Sequence, residues 1–222
     1  MKNTLWAFGD SMAFGHGCNE LCNSNTKELY LPYKKDGDDI WSNHLGKFLN
    51  FDVKNLGKNG ASNDLIFNTI IDNYDFINEG DIVIINMTIH GRIEVPIGDE
   101  VINALSSYEN EMKIRGYDDG GDRQEKIETI INFQYHFSDH QFYKDRHIKR
   151  FNFIKDRLLN EKKVKYVFLW SLEDVKSGIY SSFETIYNAT NGVVNDTHFS
   201  FNGHLNFAHF LYNTVNGKKS II

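Results

Sequence analysis

The segment that most constrains the fold is the run Ile82–Met87 (IVIINM), in which apolar, mostly β-branched residues follow one another almost without interruption. A continuous apolar run of this length is typical of a strand in a parallel sheet whose two faces are both covered. The preceding segment, Asn63–Ile77, carries apolar residues at helical spacing, and Asn63 or Asp64 is its predicted N-cap. The two segments together predict a helix that leads into a buried parallel strand.

The same alternation extends along the rest of the chain. Further strands are predicted at Asn3–Phe8, Phe51–Leu56 and Val164–Trp170, and further helices at Ile40–Leu49, about Asp145–Glu161 and Gly203–Tyr212. Alternating strands and helices are the signature of an open α/β fold. We therefore predict a three-layer α/β/α sandwich with a mostly parallel central sheet. The 222 residues are interpreted as a single domain, with insertions at about 18–39 and 96–146.

Charge and composition bear on the partners of the protein. A net charge of −6 argues against a surface that binds duplex nucleic acid, which needs an excess of basic residues. No stretch approaches the roughly 20 apolar residues that span a bilayer, so we expect no membrane partner. The N-terminal residues lack the apolar region and cleavage site of a signal peptide. We therefore expect synthesis in the cytoplasm without a signal peptide, and this leaves open an association with a virion or another larger particle.

Metal binding is not predicted from the cysteines or from the histidines of the middle region. The chain has two cysteines, Cys18 and Cys22, which we interpret as free thiols in a loop. A zinc site at His136, His140 and His147 would need a thiol or carboxylate at suitable spacing, and we do not predict one. The sequence therefore gives no reason to expect a metal ion.

The first candidate for chemistry is Ser11, in the tripeptide Gly9-Asp10-Ser11 at the end of the first predicted strand. Functional sites in open α/β sheets lie outside the carboxyl ends of the strands, which favours a nucleophile at this position. The alternative is that Ser11 is only the N-cap of a helix. The G-x-S-x-G elbow is absent, because Ala13 stands where its second glycine belongs, and this counts against the α/β-hydrolase fold.

The second candidate is the pair Asp196 and His198, two residues apart near the C-terminus. A serine hydroxyl is a poor nucleophile until an imidazole takes its proton, and that imidazole needs a carboxylate to fix its tautomer. Asp196 and His198 supply both groups, although an Asp and a His in a loop could equally do no more than cap the following helix. His204 is a rival for the base, and His198 is favoured because it lies nearer to Asp196.

Taken together, these segments resemble the conserved blocks of the SGNH, or GDSL, hydrolase superfamily. The resemblance is carried by Phe8–Ser11, by Asn55–Asn63 and by Asp196–His198, which occur in the order of that family. It implies a flavodoxin-like sandwich and a serine esterase with a Ser11–His198–Asp196 triad. It also implies an oxyanion hole formed by Ser11, Gly60 and Thr88, and a reaction that needs no metal or organic cofactor.

One block departs from the family pattern. The family usually ends its third strand in Gly-x-Asn-Asp, whose Asn donates to the oxyanion, whereas this chain has Asn86–Arg92 (NMTIHGR) there. Asn86 lies too early to match, so Thr88 is the nearest polar substitute and Arg92 is a further candidate. The alternative is that Thr88 merely ends the strand while Arg92 pairs with Glu94. Loss of one oxyanion donor costs about 3–4 kcal/mol of transition-state stabilisation in another hydrolase.

Two functions are therefore open at the level of sequence. The first is an esterase acting on a small-molecule or glycan ester, for example an O-acetyl group on a carbohydrate, with Tyr30, Tyr33 and Tyr117 available to stack on sugars. Such aromatic residues could equally serve ordinary packing. The second is a catalytically weak or inactive binding or structural module with the same fold, for example a component of a phage particle or a surface assembly.

Overall fold

The computed structural model describes residues 2–15, 40–97, 100–104, 140–171, 181–182, 194–195, 198–199 and 201–217, together with positions 125, 129 and 132. Most of the two predicted insertions, and with them Cys18, Cys22, Tyr30, Tyr33 and Tyr117, lie outside the described residues.

A parallel sheet of five strands forms the centre of the molecule, in the order β2-β1-β3-β6-β7. The described strands are β1 Thr4–Phe8, β2 Asp52–Asn55, β3 Ile82–Met87, β4 Ile93–Ile97, β5 Glu100–Ala104, β6 Tyr166–Ser171, β7 Ser181–Ser182, β8 Val194–Asn195 and β9 His198–Phe199. β4 pairs with β5, and β8 with β9, in two separate antiparallel pairs. The predicted mostly parallel sheet is confirmed.

Helices cover both faces of this sheet. The described helices are α1 Ser11–Phe14, α2 Trp41–Leu49, α3 Asn63–Asn73, α4 His140–Asn160 and α5 Phe201–Val215, with a 3₁₀ turn at Tyr74–Phe76. Alternate residues of β3 point to opposite faces: Ile82 and Ile84 pack in the core beneath α2 and α5, whereas Val83 and Ile85 pack beneath α3 and α4. The three-layer α/β/α sandwich predicted from the sequence is therefore present.

A buried carboxylate fixes β3 against β1 at the end of the sheet opposite the candidate site. Asp81 accepts hydrogen bonds from the backbone N–H of Thr4 at 2.7 Å, from the Trp6 indole at 2.9 Å and from the backbone N–H of Asn78 at 3.0 Å. Charge-assisted bonds of this kind are about twice as strong as neutral ones. They help to set the register in which Phe8 pairs with Ile85, and so bring the carboxyl ends of β1 and β3 side by side.

Two local predictions are corrected by the structure. The N-cap of α3 is Ser62, whose hydroxyl accepts from the Leu65 N–H at 3.0 Å, rather than Asn63 or Asp64. Asn63 is instead the first helical residue, and its side chain is buried. α4 begins at His140 rather than at about Asp145. Its first turn lacks the apolar stripe that marks a helix, since Phe142 is 60% exposed.

Candidate active site

Ser11 lies where β1 gives way to α1, at the carboxyl edge of the sheet. It is the first residue of α1, and the N-cap is Asp10, whose Oδ1 accepts from the Met12 N–H at 3.0 Å. The alternative in which Ser11 itself caps the helix is therefore wrong. The side chain of Ser11 is buried but not sealed off, with 8% of the residue exposed.

Gly9 allows α1 to begin close to the neighbouring strand. A Cβ atom at position 9 would lie 2.7 Å from the Cβ of Asn86 and 2.8 Å from the Cβ of Ala13. These separations are shorter than van der Waals contact, so a larger residue would push α1 away from β3. Gly9 therefore sets the distance at which Ser11 stands above the sheet.

The glycine-rich loop after β2 is fastened directly to this turn. The Lys58 N–H donates to the Gly9 carbonyl at 3.0 Å. A Cβ on Gly57 would lie 2.4 Å from the Phe14 nitrogen, so the loop can approach α1 only with glycine at position 57. Asn55 strengthens the connection, because its amide donates to the Ala13 carbonyl at 2.7 Å and its Oδ1 accepts from the Gly57 N–H at 2.9 Å.

Gly60 occupies a tight turn in this loop. The Ala61 N–H donates to the Lys58 carbonyl at 3.1 Å, and Gly60 has a φ of +75°. A positive φ at the third residue of a turn is the type II geometry, which strongly favours glycine. A Cβ on Gly60 would meet nothing within 4 Å, and the Gly60 N–H has no acceptor among the described residues. No described residue therefore fills the space beside Gly60, in the loop that is fastened to the Ser11 turn.

Thr88 follows β3 and is fully buried. Its backbone N–H donates to Asn63 Oδ1 at 3.0 Å, and its hydroxyl oxygen accepts from Arg92 Nη1 at 2.9 Å. Asn86, by contrast, lies within β3, also fully buried, with its amide donating to the Met87 carbonyl at 3.1 Å. Its position inside the strand agrees with the interpretation that Asn86 lies too early to match the family's oxyanion asparagine.

Arg92 contacts all three segments that surround the candidate site, namely the Ser11 turn, the glycine-rich loop after β2 and the loop after β3. Besides the Thr88 hydroxyl, its Nη1 contacts the Ala61 carbonyl at 3.3 Å and lies 3.6 Å from Asp10 Oδ2. Among the described residues, its Nε and Nη2 groups have no acceptor, and 15% of its side chain is exposed. The guanidinium therefore sits beside the Ser11 turn.

The predicted alternative, a pair between Arg92 and Glu94, is not found among the described contacts. Burial raises the pKa of the Glu94 carboxyl, the charge of Asp64 raises it further, and Lys58 opposes them. Arg92 does not contribute to this shift. Its partner is Asp10, in the nucleophile block, so Arg92 is part of the candidate site and not of a surface ion pair.

The predicted base and its orienting carboxylate are placed only in part. Asp196 lies outside the described residues, and so does the side chain of His198, although the backbone of His198 pairs with Asn195 in β8–β9. The triad stays a prediction. The rival His204 is fully buried in α5, where its Nδ1 accepts from the Trp41 N–H at 3.4 Å and its ring packs edge-on against Phe199. The choice of His198 over His204 as the base stays a prediction.

Sequence reasoning misses a buried polar cluster behind Thr88, formed by Asn63, His90 and His147. The sequence suggests Asn63 as a helix cap and as the last residue of the block Asn55–Asn63, and no spacing rule connects His90 with His147, because the two lie 57 positions apart. Within the described ranges, no group of three or more His, Cys, Asp or Glu residues could hold a metal ion. No helix in the same ranges is long and apolar enough to cross a membrane.

Comparison with known proteins identifies the fold. Neither protein-family models nor curated proteins gave a match to the chain. Among solved structures, the chain is similar to a carbohydrate esterase whose active site displays divergent catalytic and non-catalytic binding functions, with 12% identity and a TM-score of 0.51. That match covers 98% of this chain and 65% of the esterase, so the chain spans about two-thirds of the esterase's length.

A second similar structure is a lipolytic protein of the G-D-S-L family from Desulfitobacterium hafniense DCB-2, with 14% identity and a TM-score of 0.39, covering 95% of this chain and 98% of that one. The α/β sandwich, together with the likeness to the carbohydrate esterase, defines an SGNH/GDSL hydrolase-like fold. At such low identity the likeness shows the fold alone. Activity therefore has to be argued from the site.

Proposed function

We propose that this protein is a carboxylic ester hydrolase with Ser11 as its nucleophile. The observation that carries the proposal is the bond from the Lys58 N–H to the Gly9 carbonyl, which fastens the Gly60 turn to the turn that presents Ser11. A nucleophile and a backbone donor must both lie about 3 Å from the same reacting atom in acyl transfer. The fastening of this loop to the Ser11 turn, on two neighbouring strands, supports such an arrangement.

The reaction proceeds in two steps through an acyl-enzyme. His198, oriented by Asp196, takes the Ser11 proton as the hydroxyl oxygen bonds to the ester carbonyl carbon. The tetrahedral intermediate collapses, the ester C–O bond breaks, and the imidazolium gives its proton to the departing alcohol. Water, deprotonated by His198, then attacks the acyl-enzyme and releases the carboxylic acid, which restores the Ser11 hydroxyl.

The developing oxyanion is held by the N–H groups of Ser11 and Gly60 and by the Arg92 guanidinium. Thr88 is predicted from the sequence as a direct donor, but its complete burial and its bond from Arg92 suit it better to holding that guanidinium in place. A charged donor directed at a developing negative charge is stronger than a neutral one. Each oxyanion donor of this type contributes about 10²–10³-fold to kcat.

We further propose that the substrate is an O-acetyl ester on a carbohydrate or a similarly small ester. The support is the fold-level likeness to a carbohydrate esterase, together with the open space at Gly60. Fold alone does not determine the substrate, so this part of the proposal depends on direct assay.

A second candidate function is a binding or structural module, for example in a phage particle, that retains the fold without strong catalysis. It is favoured by one observation: the only Asn near the end of β3, Asn86, is buried inside the strand. In this case Arg92 serves only to neutralise the buried Asp10 carboxylate.

Hydrolysis assays separate the two candidates. The wild-type protein is expected to cleave p-nitrophenyl acetate and to release acetate from acetylated xylan oligosaccharides, and Ser11→Ala is expected to do neither while keeping the wild-type circular dichroism spectrum. Unchanged cleavage by Ser11→Ala would remove Ser11 as the nucleophile. A wild-type protein that is folded but inactive on both substrates would favour the module.

A further inference from the structure

A buried polar cluster, formed by the side chains of Asn63, His90 and His147, lies directly behind Thr88. All three residues are 1% exposed or less. They come from three separate elements, because Asn63 begins α3, His90 lies in the loop between β3 and β4, and His147 lies in α4. The cluster therefore ties the exit of β3 to two helices on one face of the sheet.

Asn63 holds Thr88 through both backbone groups. Its Oδ1 accepts from the Thr88 N–H at 3.0 Å, and its Nδ2 donates to the Thr88 carbonyl at 3.0 Å. This pair of hydrogen bonds fixes the amide plane of Asn63 as well as the backbone of Thr88. It leaves one Nδ2 hydrogen, which points to the histidines.

That hydrogen lies within reach of both histidines, which also contact each other. Asn63 Nδ2 lies 3.5 Å from His90 Nδ1 and 3.4 Å from His147 Nδ1, and the two Nδ1 atoms are 3.2 Å apart. At this separation one Nδ1 donates and the other accepts, since two protons or two lone pairs would repel. The cluster thus requires at least one histidine with an unprotonated Nδ1.

The surroundings of His147 favour its neutral form. Burial lowers its pKa to about 4, and Arg146 and Arg150 act in the same direction, whereas Asp64 opposes them. Asp64 lies 3.9 Å from His147 Nε2 and also binds both arginines, so its charge is largely compensated. A neutral His147 can accept the bond at Nδ1 that the cluster needs.

We propose that Asn63, His90 and His147 are positioning residues that hold Thr88, and through its hydroxyl Arg92, in the place where the guanidinium serves the candidate site. The catalytic consequence rests on the proposed function, whereas the positioning itself does not. The Thr88 hydroxyl accepts the 2.9 Å bond from Arg92, and Asn63 in turn holds the backbone of Thr88. The remaining hydrogen of the Asn63 amide is directed at the histidines. A buried polar group that loses its hydrogen-bond partner raises the free energy of the folded state. Movement of any one of these groups is therefore unfavourable, and the arrangement is rigid.

Variants at His147 test this positioning role. His147→Phe keeps a ring of similar size and removes the acceptor, whereas His147→Asn places an amide oxygen or nitrogen close to the former Nδ1. Ile154→Val, in the buried face of the same helix, controls for a general loss of stability without contact to the cluster. Asn63→Ala serves as a second variant that breaks the hold on Thr88 directly, should His147→Phe not fold.

Two readouts keep this inference separate from the proposed function. Hydrogen–deuterium exchange of the peptide that contains residues 88–92 measures how firmly the loop after β3 is held in place. The kcat and KM for p-nitrophenyl acetate measure the effect of that positioning on catalysis. We expect His147→Phe to accelerate exchange there by about tenfold or more and to lower kcat by a similar factor with little change in KM. We expect His147→Asn to bring the exchange rate and kcat most of the way back to their wild-type values. Ile154→Val is expected to change neither the exchange rate nor kcat.

Exchange at residues 88–92 that is the same in wild type, His147→Phe and Asn63→Ala would overturn the inference, whatever the activities are. The inference is also overturned if Ile154→Val accelerates exchange there as much as His147→Phe does. A wild-type protein without esterase activity would refute the proposed function alone, because the exchange measurement still decides whether the cluster positions the loop.

Discussion

Arg92 Nη1 donates to the Thr88 hydroxyl oxygen at 2.9 Å, across the loop that leaves β3. The bond directs the guanidinium toward the turn that carries Ser11, where Asp10 Oδ2 lies 3.6 Å from the same nitrogen. A cation is thereby placed beside the turn that carries Ser11. The altered third block is thus compatible with an active site that uses a charged donor.

Replacement of Arg92 by lysine tests that role. Arg92→Lys keeps the positive charge beside Asp10 but loses the planar group that reaches Thr88 and Ala61 together. We expect kcat/KM for p-nitrophenyl acetate to fall by roughly 10–100-fold, because the charge remains while the directed donor is lost.

The matched control for this prediction is Arg157→Lys. Arg157 forms an exposed pair with Glu161 near the end of α4, and exposed pairs of this kind contribute little to stability. Equal activity of Arg92→Lys and Arg157→Lys would show that the Arg92 guanidinium has no part in the reaction.

Gly60 offers a second test, on the backbone donor. Gly60→Ala introduces a side chain at a φ of +75°, where no described residue lies within 4 Å of the new Cβ, so the change acts through backbone strain in the loop fastened to the Ser11 turn. Strain of this kind costs about 1–3 kcal/mol. We expect kcat/KM to fall by at least roughly tenfold, measured at a temperature where the variant is folded.

The chain provides its own control for that strain. Gly217 has a φ of +65° and lies just after α5, in a different turn, and a Cβ added there likewise meets no described residue within 4 Å. Gly217→Ala is expected to lower the unfolding temperature without loss of activity per folded molecule. If both variants lose activity to the same extent, the effect of Gly60→Ala is one of stability only.

Acidification is expected to weaken the fold through His147. Its pKa is about 4 in the folded protein, below the ordinary value of 6.5, so the unfolded chain binds the proton first as the pH falls. The contribution of the neutral histidine is complete above about pH 6.5, declines as the pH falls from there and is lost near pH 4. The titratable and charged groups that face His147 are Asp64, Arg146, Arg150, His90 and Tyr143.

Thermal melts of wild type and His147→Asn between pH 7.5 and 4.5 measure this contribution. The wild-type unfolding temperature is expected to fall more steeply below pH 6.5 than that of the variant, which lacks the titrating ring. Each kcal/mol corresponds to about 2–4 °C for a chain of this size. Parallel pH profiles of the two proteins would contradict the assignment.

The parts of the fold that the sequence predicts are those set by local pattern. β3 is predicted at Ile82–Met87 and is found there, because a strand covered on both faces needs an unbroken apolar run. The predicted cap of α3 lies one or two residues late, since Ser62, Asn63 and Asp64 are all good capping residues and the choice depends on tertiary contacts. The β4–β5 hairpin lacks such a pattern and is not predicted.

The candidate site is predictable as a set of segments but not as a set of contacts. Gly9, Ser11 and Gly60 are recognisable because tight turns at strand ends restrict residue choice. The pairing of Arg92 with Asp10 instead of Glu94 depends on the direction in which the loop leaves β3, and no local rule gives that direction. The same holds for the contact between the two histidines of the buried cluster, which only the packing of α4 brings together.

The most direct measurement of the central claim is covalent labelling with a fluorophosphonate probe, followed by mass spectrometry of the digested protein. We expect one adduct per chain, located on Ser11, and no adduct on Ser11→Ala under the same conditions. Absence of labelling in the folded wild-type protein, or equal labelling of Ser11→Ala at another residue, would contradict the assignment of Ser11 as an activated nucleophile.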